Sequence, residues 1–544
     1  MNTKYKKKSL IIFFIFILIY CIIIINLSFI QIWQNKFYTN LGREQYHVTK
    51  KSHPIRAEIF DRTGEKQLAL NKNFLSAFIL PKQLTNKKQL TCFLSQNFPY
   101  ALKRLKNNFG TNFMFIKRKV TQDEYDYIKK SEIEDIKFIQ ERGRFYTVPS
   151  LSTVIGATDI DNNGIFGLEL QYNKQLAGIP TIANLQQDAR FGDFYFTKKT
   201  KEQGLAGKSI NLTINSDLQF LAHEELSQTL LDWESKQGSA LIMDPKNGEI
   251  LTMVNVPFFD PNNKYNFNLE DTKNKILTDT YELGSVIKIF IALAALEEEV
   301  VTPEEIIDCK NKKTAYLDGR KINTVIPCGK VTFSEVIQKS NNIGSSIVAK
   351  RLNEKLYQHY KKLGFGTKTI LQFPGQQSGF VNPPQNWSKQ SIISLSYGYE
   401  ITATLLQLAR AFCIIARNGY DIQPKLILDN KPLQHFSKLY SNKAIQEVKD
   451  ILQATTKVGT SKKANIQGYT IMSKTGTANL LVDGKYVDNK NIFTCAGIVE
   501  HDDYQRVIVV FVKETNKKRA YASTVAAPLF EKIAKKMLIH DKII

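Results

Sequence analysis

The chain has 544 residues, too many for one ordinary domain and suited to two or three, with enough apolar residues for a large core. Its formal charge of +23 would suit nucleic acid, an anionic membrane surface or an anionic substrate. The lysines are spread along the chain with no basic stripe interleaved with aromatics, which argues against nucleic acid, and no CxxC or closely spaced His/Cys set occurs, so neither a metal nor another cofactor is expected.

The first element is apolar. "LIIFFIFILIYCIIII", residues 10–25, continues as "NLSFIQIW" to Trp33 and is long enough to span a bilayer. Lys4, Lys6, Lys7 and Lys8 precede it and favour a cytoplasmic N-terminus, although Lys36, Arg43, Lys50 and Lys51 follow on the other side. A cleaved signal peptide is the alternative. The exit of the segment lacks a small-x-small cleavage site, so an uncleaved anchor is expected. This divides the start of the chain into a cytoplasmic tail (1–8) and an anchor (9–33), followed by one extracytoplasmic body.

Residues 34–55 are polar and basic and read as a link from anchor to body. From Arg56 to about Ser209 the chain reads as irregular and loop-rich, with short β-like runs, a few helices and no catalytic grouping. Link and irregular region together make a domain over 34–209. Near Gly207 the character changes: "KSINLTINSDLQFLAHEELSQTLL" reads as a strand and then an amphipathic helix, and "GSALIMDPKNGEILTMVNVP" as two strands around a Pro-Lys-Asn-Gly turn. Near the end, "NIFTCAGIVE" and "RVIVVFVKE" form an antiparallel pair. Val525, Leu529, Ile533 and Met537, with Ala526, Phe530, Ala534 and Leu538 beside them, then make one apolar helix face. Strands at both ends with helices between them imply an α+β domain over 210–544, an antiparallel sheet covered by helices.

Of six cysteines, Cys21 lies in the apolar span, and Cys92, Cys413 and Cys495 sit among apolar residues as core thiols. Cys309 and Cys328 flank "AYLDGRKINT", whose Asp318-Gly319 reads as a tight hairpin turn. Such a hairpin could bring the two together in a compartment that permits a disulfide; two free cysteines are the alternative.

Three short stretches carry possible chemistry. In "YELGSVIKIF", residues 281–290, Lys288 stands in an apolar run that continues as "IALAAL" to Leu296 and reads as a buried helix. Lysine is seldom fully buried without a partner or a task. Ser285, three residues earlier, neighbours it on a helix, and Gly284 suits a sharp start to that helix. The helix N-terminus would help stabilise a forming anion. A serine hydroxyl needs a base, and a lysine serves as one only if burial lowers its pKa from ~10.4 toward neutrality, a shift of ~3 units or roughly 4 kcal/mol. A lysine snorkelling at a helix edge is the structural alternative.

"SNN", Ser340 to Asn342, follows "TFSEVIQK", where Thr332 and Glu335 fit a capping box. Ser340 then ends one short helix before another, "IGSSIVAKRL"; alone, such a triplet is an ordinary turn. "KTGT", Lys474 to Thr477, follows "GYTIMS" and reads as a strand whose Gly476 lets a ligand backbone approach; alone, it is an edge strand with a protective lysine. Each is weak by itself. Together, in this order and separated by about 55 and about 134 residues, they form the serine–lysine set of penicillin-binding proteins and related β-lactamases.

The sequence resembles a class B penicillin-binding protein from the anchor almost to the C-terminus. "RAEIFDRTGEKQLA" looks like the family's first membrane-proximal motif. "GLELQYNKQLAG", "LTINSDLQ" and "GSALIMDPKNGEILTMVNVPFFDPN" match the approach to the active site, and "FGFG", "FPGQQSG", "LSYGYEITATLLQLARAFCIIARNG" and "VAAPLF" the later part. The septal, FtsI-like branch fits best, because its second motif usually ends in Asn, as at Asn342, where the elongation branch tends toward Asp.

The resemblance implies a penicillin-binding-protein/serine β-lactamase-like transpeptidase domain behind an elongated pedestal of the dimerisation type and one transmembrane helix. It implies DD-transpeptidation: Ser285 attacks the D-Ala-D-Ala bond of a peptidoglycan stem peptide, Lys288 takes its proton, and Ser340 with Lys474 relays a proton to the leaving group. Asn342 would bond the donor's peptide amide, and Lys474, Thr475 and Thr477 its carboxylate, with Gly476 permitting close approach. The N–H groups of Ser285 and Thr477 would form the oxyanion hole. β-Lactams are the implied inhibitors, and an FtsW-type glycan polymerase and other divisome proteins the implied partners. The implied location is the inner membrane, single-pass, with a periplasmic catalytic domain.

The sequence departs from the family at Ala57 and Glu400 (usually Gly), Leu283 and Leu405 (usually Pro) and Ser473 (often Gly). Three other functions share these features: an elongation-branch transpeptidase, a β-lactamase or β-lactam sensor, and a catalytically silent divisome scaffold. The anchor and the long pedestal argue against the second, and the intact motifs against the third.

Overall fold

The computed structural model describes residues 3–187, 195–263, 268–428, 437–482 and 485–543. The chain forms two compact units, one of Met1–Arg56 with Ala177–Lys208 and one of Ala57–Leu176 with Ser209–Ile544.

In the first unit, helix Thr3–Ser28 runs into a π-helical turn, Phe29–Trp33. Within Lys4–Trp33 an 18-residue stretch has a mean hydropathy of 3.2, and the apolar side chains there are exposed, which fits a single-pass membrane anchor. The stretch read as a link is instead ordered: helix Asn35–Tyr46 precedes strand His47–Ser52, which pairs antiparallel with Thr181–Gln187, itself paired with Tyr195–Glu202. The strand takes its hydrogen bonds from a segment far along the chain, and a local polar composition gives no sign of that pairing.

The second unit begins with strands more regular than the sequence suggests. Gln67–Ile79 pairs with Lys137–Tyr146 along almost its whole length and with Met114–Val120 on its other side. Helices Lys87–Asn97, Pro99–Asn107 and Gln122–Lys130 bury Leu90, Leu94, Leu105 and Ile128 against this sheet. Cys92 is exposed, not a core thiol: Leu90 and Leu94 mark the buried face of its helix, and a residue midway between them points away.

From Ser216 the domain is built on one antiparallel sheet. Its strands are β1 (Gln237–Met243), β2 (Ile250–Val256), β3 (Thr470–Val482), β4 (Lys485–His501) and β5 (Tyr504–Lys513), in the order β2-β1-β5-β4-β3. Among its helices are α1 (Ser216–Asp232), α2 (Lys288–Glu297), α3 (Phe333–Gln338), α4 (Asn342–Leu352), α5 (Leu405–Ala416), α6 (Asn442–Lys457) and α7 (Ala526–His540). Both faces of the sheet are buried, and successive residues alternate between two cores. Ala240, Ile242, Ile508 and Val510 join Phe530, Ile533 and Met537 of α7, while Leu241, Met243, Val507 and Val509 join α2 and α5. β3 is the edge strand, and that leaves its outer side open to the turn that precedes α2.

Candidate active site

Three backbone devices bring the three motifs together. The first is the turn Gly284–Ile287, a short 3-10 segment that runs directly into α2. Gly284 has φ +55, a left-handed conformation that suits glycine, and a methyl group there would lie 2.8 Å from the carbonyl oxygen of Thr477. Gly476 returns the contact from β3, since a methyl group on it would stand 2.6 Å from the carbonyl oxygen of Leu283. Two glycines thus let the edge strand lie directly on the serine turn. Gly398 closes the other side, its Cβ position being 2.4 Å from the carbonyl oxygen of Gly284.

The second device is the Ser340 turn. Thr332 and Glu335 form the expected capping box on α3, which ends at Gln338, and Ser340 then takes φ +54 before α4 begins. A non-glycine residue in that region stores of the order of 1–3 kcal/mol of strain and persists where surrounding bonds fix it. Here Asn341 fixes it: its Oδ1 accepts from the N–H of Gly344 and its Nδ2 donates to the carbonyl of Ile326.

The third is the anchoring of β3. Ser473 is fully buried, its N–H donates to Thr456 Oγ1 on α6 at 2.8 Å, and its carbonyl accepts from Ser461 Oγ at 2.9 Å. Thr475 Oγ1 donates to Thr460 Oγ1 at 3.3 Å, and Thr477 Oγ1 accepts from the N–H of Ala522 at 3.0 Å.

The side chains then meet. Lys288 is fully buried, and its Nζ donates to the carbonyl of Ser340 at 2.6 Å and to Asn342 Oδ1 at 2.5 Å, with Ser340 Oγ at 3.3 Å. Lys474 is also fully buried; its Nζ lies 3.1 Å from Ser340 Oγ and 3.0 Å from the carbonyl of Thr475. Ser340 Oγ therefore bridges the two lysines. No carboxylate pairs with either among the described residues. Burial, and then the neighbouring charge of Lys474, hold Lys288 well below the ordinary lysine range. Burial lowers Lys474 to about 7.

Ser285 is half-buried at the mouth of this arrangement and has no side-chain hydrogen bond among the described residues. A neutral Lys288 has two N–H donors and a lone pair. The two short bonds go to oxygens that can only accept from it, which leaves the lone pair for a hydroxyl proton. Ser285, Lys288, Ser340, Asn342, Lys474, Thr475, Gly476 and Thr477 thus surround one cleft between β3 and the start of α2.

Several residues at the cleft were not singled out in the sequence. Asn342 is gripped from outside: its Nδ2 donates to the carbonyl of Asn323 at 2.6 Å. Glu282 accepts from Tyr486 at 3.2 Å, and burial pushes its carboxyl up to about 7 against the hydrogen bonds it accepts from Tyr486 and the Glu400 backbone. Tyr399 and Tyr486 pack edge to face at 5.0 Å beside it. Glu282 stands next to the serine turn in sequence, a signal that was available; Asn323 and Tyr486 reach the site only through the fold. The Cys309 and Cys328 side chains lie side by side and both are free.

Residues 238–535 match the penicillin binding protein transpeptidase domain, and residues 51–212 the penicillin-binding protein dimerisation domain. The chain is 31% identical to the peptidoglycan D,D-transpeptidase FtsI of Buchnera aphidicola subsp. Baizongia pistaciae, over 99% of this chain and 96% of that protein. It is 29% identical to FtsI of Escherichia coli K12, over 87% and 82%. The chain belongs to the penicillin-binding protein transpeptidase family. Among solved structures, penicillin binding protein 3 of Mycobacterium tuberculosis, in complex with aztreonam, shares the fold with a TM-score of 0.71 and 23% identity, covering 91% of this chain and 98% of that one.

Proteins of this family bind peptidoglycan and β-lactams, and the enzyme is of the serine acyltransferase type. Placing a penicillin-binding protein's serine under the edge strand depends on the mutual approach of Gly284 and Gly476. Gly476→Ala is expected to push β3 off the serine turn and slow acylation by a fluorescent penicillin at least about 10²-fold, as a 1 Å misplacement does. A near-normal rate in that variant would show that β3 does not position the reacting groups.

Proposed function

We propose that the protein is a septal peptidoglycan D,D-transpeptidase that crosslinks stem peptides through an acyl-enzyme on Ser285. The observation that carries this reading is the hydroxyl of Ser340 lying between two buried, carboxylate-free lysines beside Ser285.

The donor stem's terminal carboxylate would lie along β3, held by protonated Lys474 and by the Thr475 and Thr477 hydroxyls, with Gly476 letting its backbone approach. Asn342 would hold the donor's peptide amide. Lys288, kept neutral by burial, takes the Ser285 proton as Oγ attacks the penultimate D-Ala carbonyl carbon. The oxyanion forms against the N–H groups of Ser285 and Thr477, an arrangement in which losing one donor typically costs ~2.7–4 kcal/mol. The proton on Lys288 then passes through Ser340 Oγ to the departing D-Ala amine as the peptide bond breaks. Water or solvent need carry nothing, because Lys288, Ser340 and Lys474 are contiguous. In the second half the chain of proton transfers reverses: an amine of a neighbouring stem attacks the ester carbonyl, its proton passes through Ser340 Oγ to Lys288, and Lys288 returns a proton to Ser285 Oγ as the ester bond breaks. β-Lactams would acylate Ser285 by the same route.

Residues 34–209 act as the pedestal, 210–544 as the catalytic domain, and 9–33 as the anchor, with 1–8 in the cytoplasm and the catalytic domain outside the membrane. The lysines before the span support this orientation. The anchor and pedestal are where an FtsW-type polymerase and other divisome proteins would bind. Asn342 and the match to FtsI proteins support the septal over the elongation branch.

Mass spectrometry after penicillin addition should find a long-lived adduct on Ser285, and none in Ser285→Ala; rapid release of hydrolysed penicillin would instead make the protein a β-lactamase. A fluorescent fusion should collect at mid-cell, and a lateral-wall distribution would favour the elongation branch. The acylation rate should be bell-shaped in pH. It rises as Lys288 loses its proton, and it falls through about 7 as Lys474 becomes neutral and stops attracting the carboxylate. Glu282 titrates in the same range, so Glu282→Gln should keep the alkaline limb and Lys474→Ala should lose it, along with most of the rate.

A further inference from the structure

Between Cys309 and Cys328 the chain makes an excursion that folds back on the domain, burying Ile322 against Ile343 and Ile393. It comes back through a two-stranded pairing, Ile306–Asp308 against Lys330–Thr332. The excursion folds into the hairpin Thr314–Leu317 and Arg320–Asn323, turned by Asp318 and Gly319, both with positive φ. Its returning limb is what holds Asn342. The Asn323 carbonyl accepts from Asn342 Nδ2, and Thr324 Oγ1 accepts from the Asn342 N–H at 3.4 Å. The excursion is thus one wall of the cleft.

The two ends of that wall are the cysteines. Cys309 N–H donates to the Gly329 carbonyl at 3.0 Å, and the Cys328 carbonyl accepts from the Asn311 N–H at 2.9 Å, so the two residues stand side by side at the base. Both side chains are buried, and the Cys328 thiol lies close enough to Cys309 to help raise its pKa. Cys328 Sγ also accepts from Asn341 Nδ2 at 3.1 Å, within the Ser340 turn itself. Cys309 Sγ lies against Gly344, where a methyl group would stand 2.8 Å from the sulfur. None of this is required by the acyl-transfer chemistry, which uses no thiol.

We propose that Cys309 and Cys328 are a dithiol/disulfide couple that staples the base of the excursion and so fixes the wall holding Asn342. The staple forms by thiol–disulfide exchange with a disulfide donor of the extracytoplasmic space, a placement taken from the function proposed above. Cys328, the less buried of the two, attacks a donor sulfur; the donor S–S bond breaks, a mixed disulfide forms and one donor thiol leaves with the proton. Cys309 then loses its proton and attacks Cys328 Sγ, releasing the second donor thiol. Two protein thiols are oxidised and one donor disulfide is reduced. Burial and the adjacent Cys328 push the Cys309 thiol up to about 12, which makes this second step the slow one in the folded protein.

The test uses the full-length protein in detergent, isolated with thiols trapped, and then after incubation with either glutathione disulfide or dithiothreitol. Alkylation under denaturing conditions after glutathione disulfide should leave two of the six cysteines unlabelled. A peptide pair joining Cys309 to Cys328 should appear about 2 Da below the sum of its thiol forms. The oxidised protein should acylate with a fluorescent penicillin at least about fivefold faster than the reduced protein, and Cys328→Ser should lose that dependence on redox state. Full labelling of all six cysteines after glutathione disulfide overturns the couple. A linked pair with equal acylation rates overturns its hold on the cleft. The thiol count is read without acylation, so it fails or succeeds separately from the transpeptidase assignment.

Discussion

The site depends on burying two lysine amines around one hydroxyl. A charged ammonium taken out of water without a counter-ion is costly enough that the group gives up its proton instead. Lys288 and Lys474 have no carboxylate partner among the described residues, and the charge of Lys474 further raises the cost of charging Lys288, while burial alone brings Lys474 only to about 7. The oxygens around Lys288 accept hydrogen bonds from a neutral amine as well as from an ammonium, so neutrality leaves no bond unmade. The apolar run "IFIALAAL" is therefore a low-dielectric wall that keeps Lys288 below the ordinary lysine range, as the base of the proposed reaction must be.

Holding such a cluster requires rigidity on each side, and the fold supplies it from different sources. Helix α2 is buried along nearly its whole length, so Lys288 cannot swing out. The edge strand β3 would be the mobile partner in an open sheet, but its inner neighbours are α6 and the Ser461 turn, and Ser473 ties it to both. Ser340 is held in a strained backbone conformation by Asn341. Strain there has a use, since relaxing the turn would withdraw the hydroxyl from between the lysines.

Much of this was legible before any coordinates. The apolar anchor, the helix–turn–helix around "SNN", the strand carrying "KTGT", the C-terminal helix face and the Asp318-Gly319 turn all follow from local pattern: periodicity, a capping box, turn residues. Local pattern failed where pairing is distant. Strand His47–Ser52 lies in a polar stretch and gains its order only from Thr181–Gln187. Gln67–Ile79 reads as broken because its exposed and buried positions do not alternate cleanly, yet it is the longest strand of its sheet, carried by partners on both sides. At the cleft, the groups proposed to react announced themselves by spacing, while Asn323, Thr324 and Tyr486 did not. They contribute a carbonyl, a hydroxyl and a ring whose meaning comes from what lies opposite.

The positions where this chain departs from its family are best understood through backbone angles. Leu283 has φ −75 and ψ −9, an angle a proline would adopt, so leucine keeps the geometry of the serine turn and adds a fully buried side chain. Leu405 is the first residue of α5 after the Thr404 cap, the position where proline is favoured because its missing N–H would be unpaired anyway. Leucine costs only some pre-organisation there. Glu400 is the harder case. It takes φ +59, where glycine is at ease, and a glutamate must be held by its contacts. Asn382 supplies them, donating from Nδ2 to Glu400 Oε2 at 2.6 Å and from its N–H to the Glu400 carbonyl at 3.1 Å. The carboxylate so fixed adds a negative charge near Glu282, opposed there by the hydrogen bond that Glu282 accepts from the Glu400 backbone, so this departure alters the charge balance of the cleft's rim.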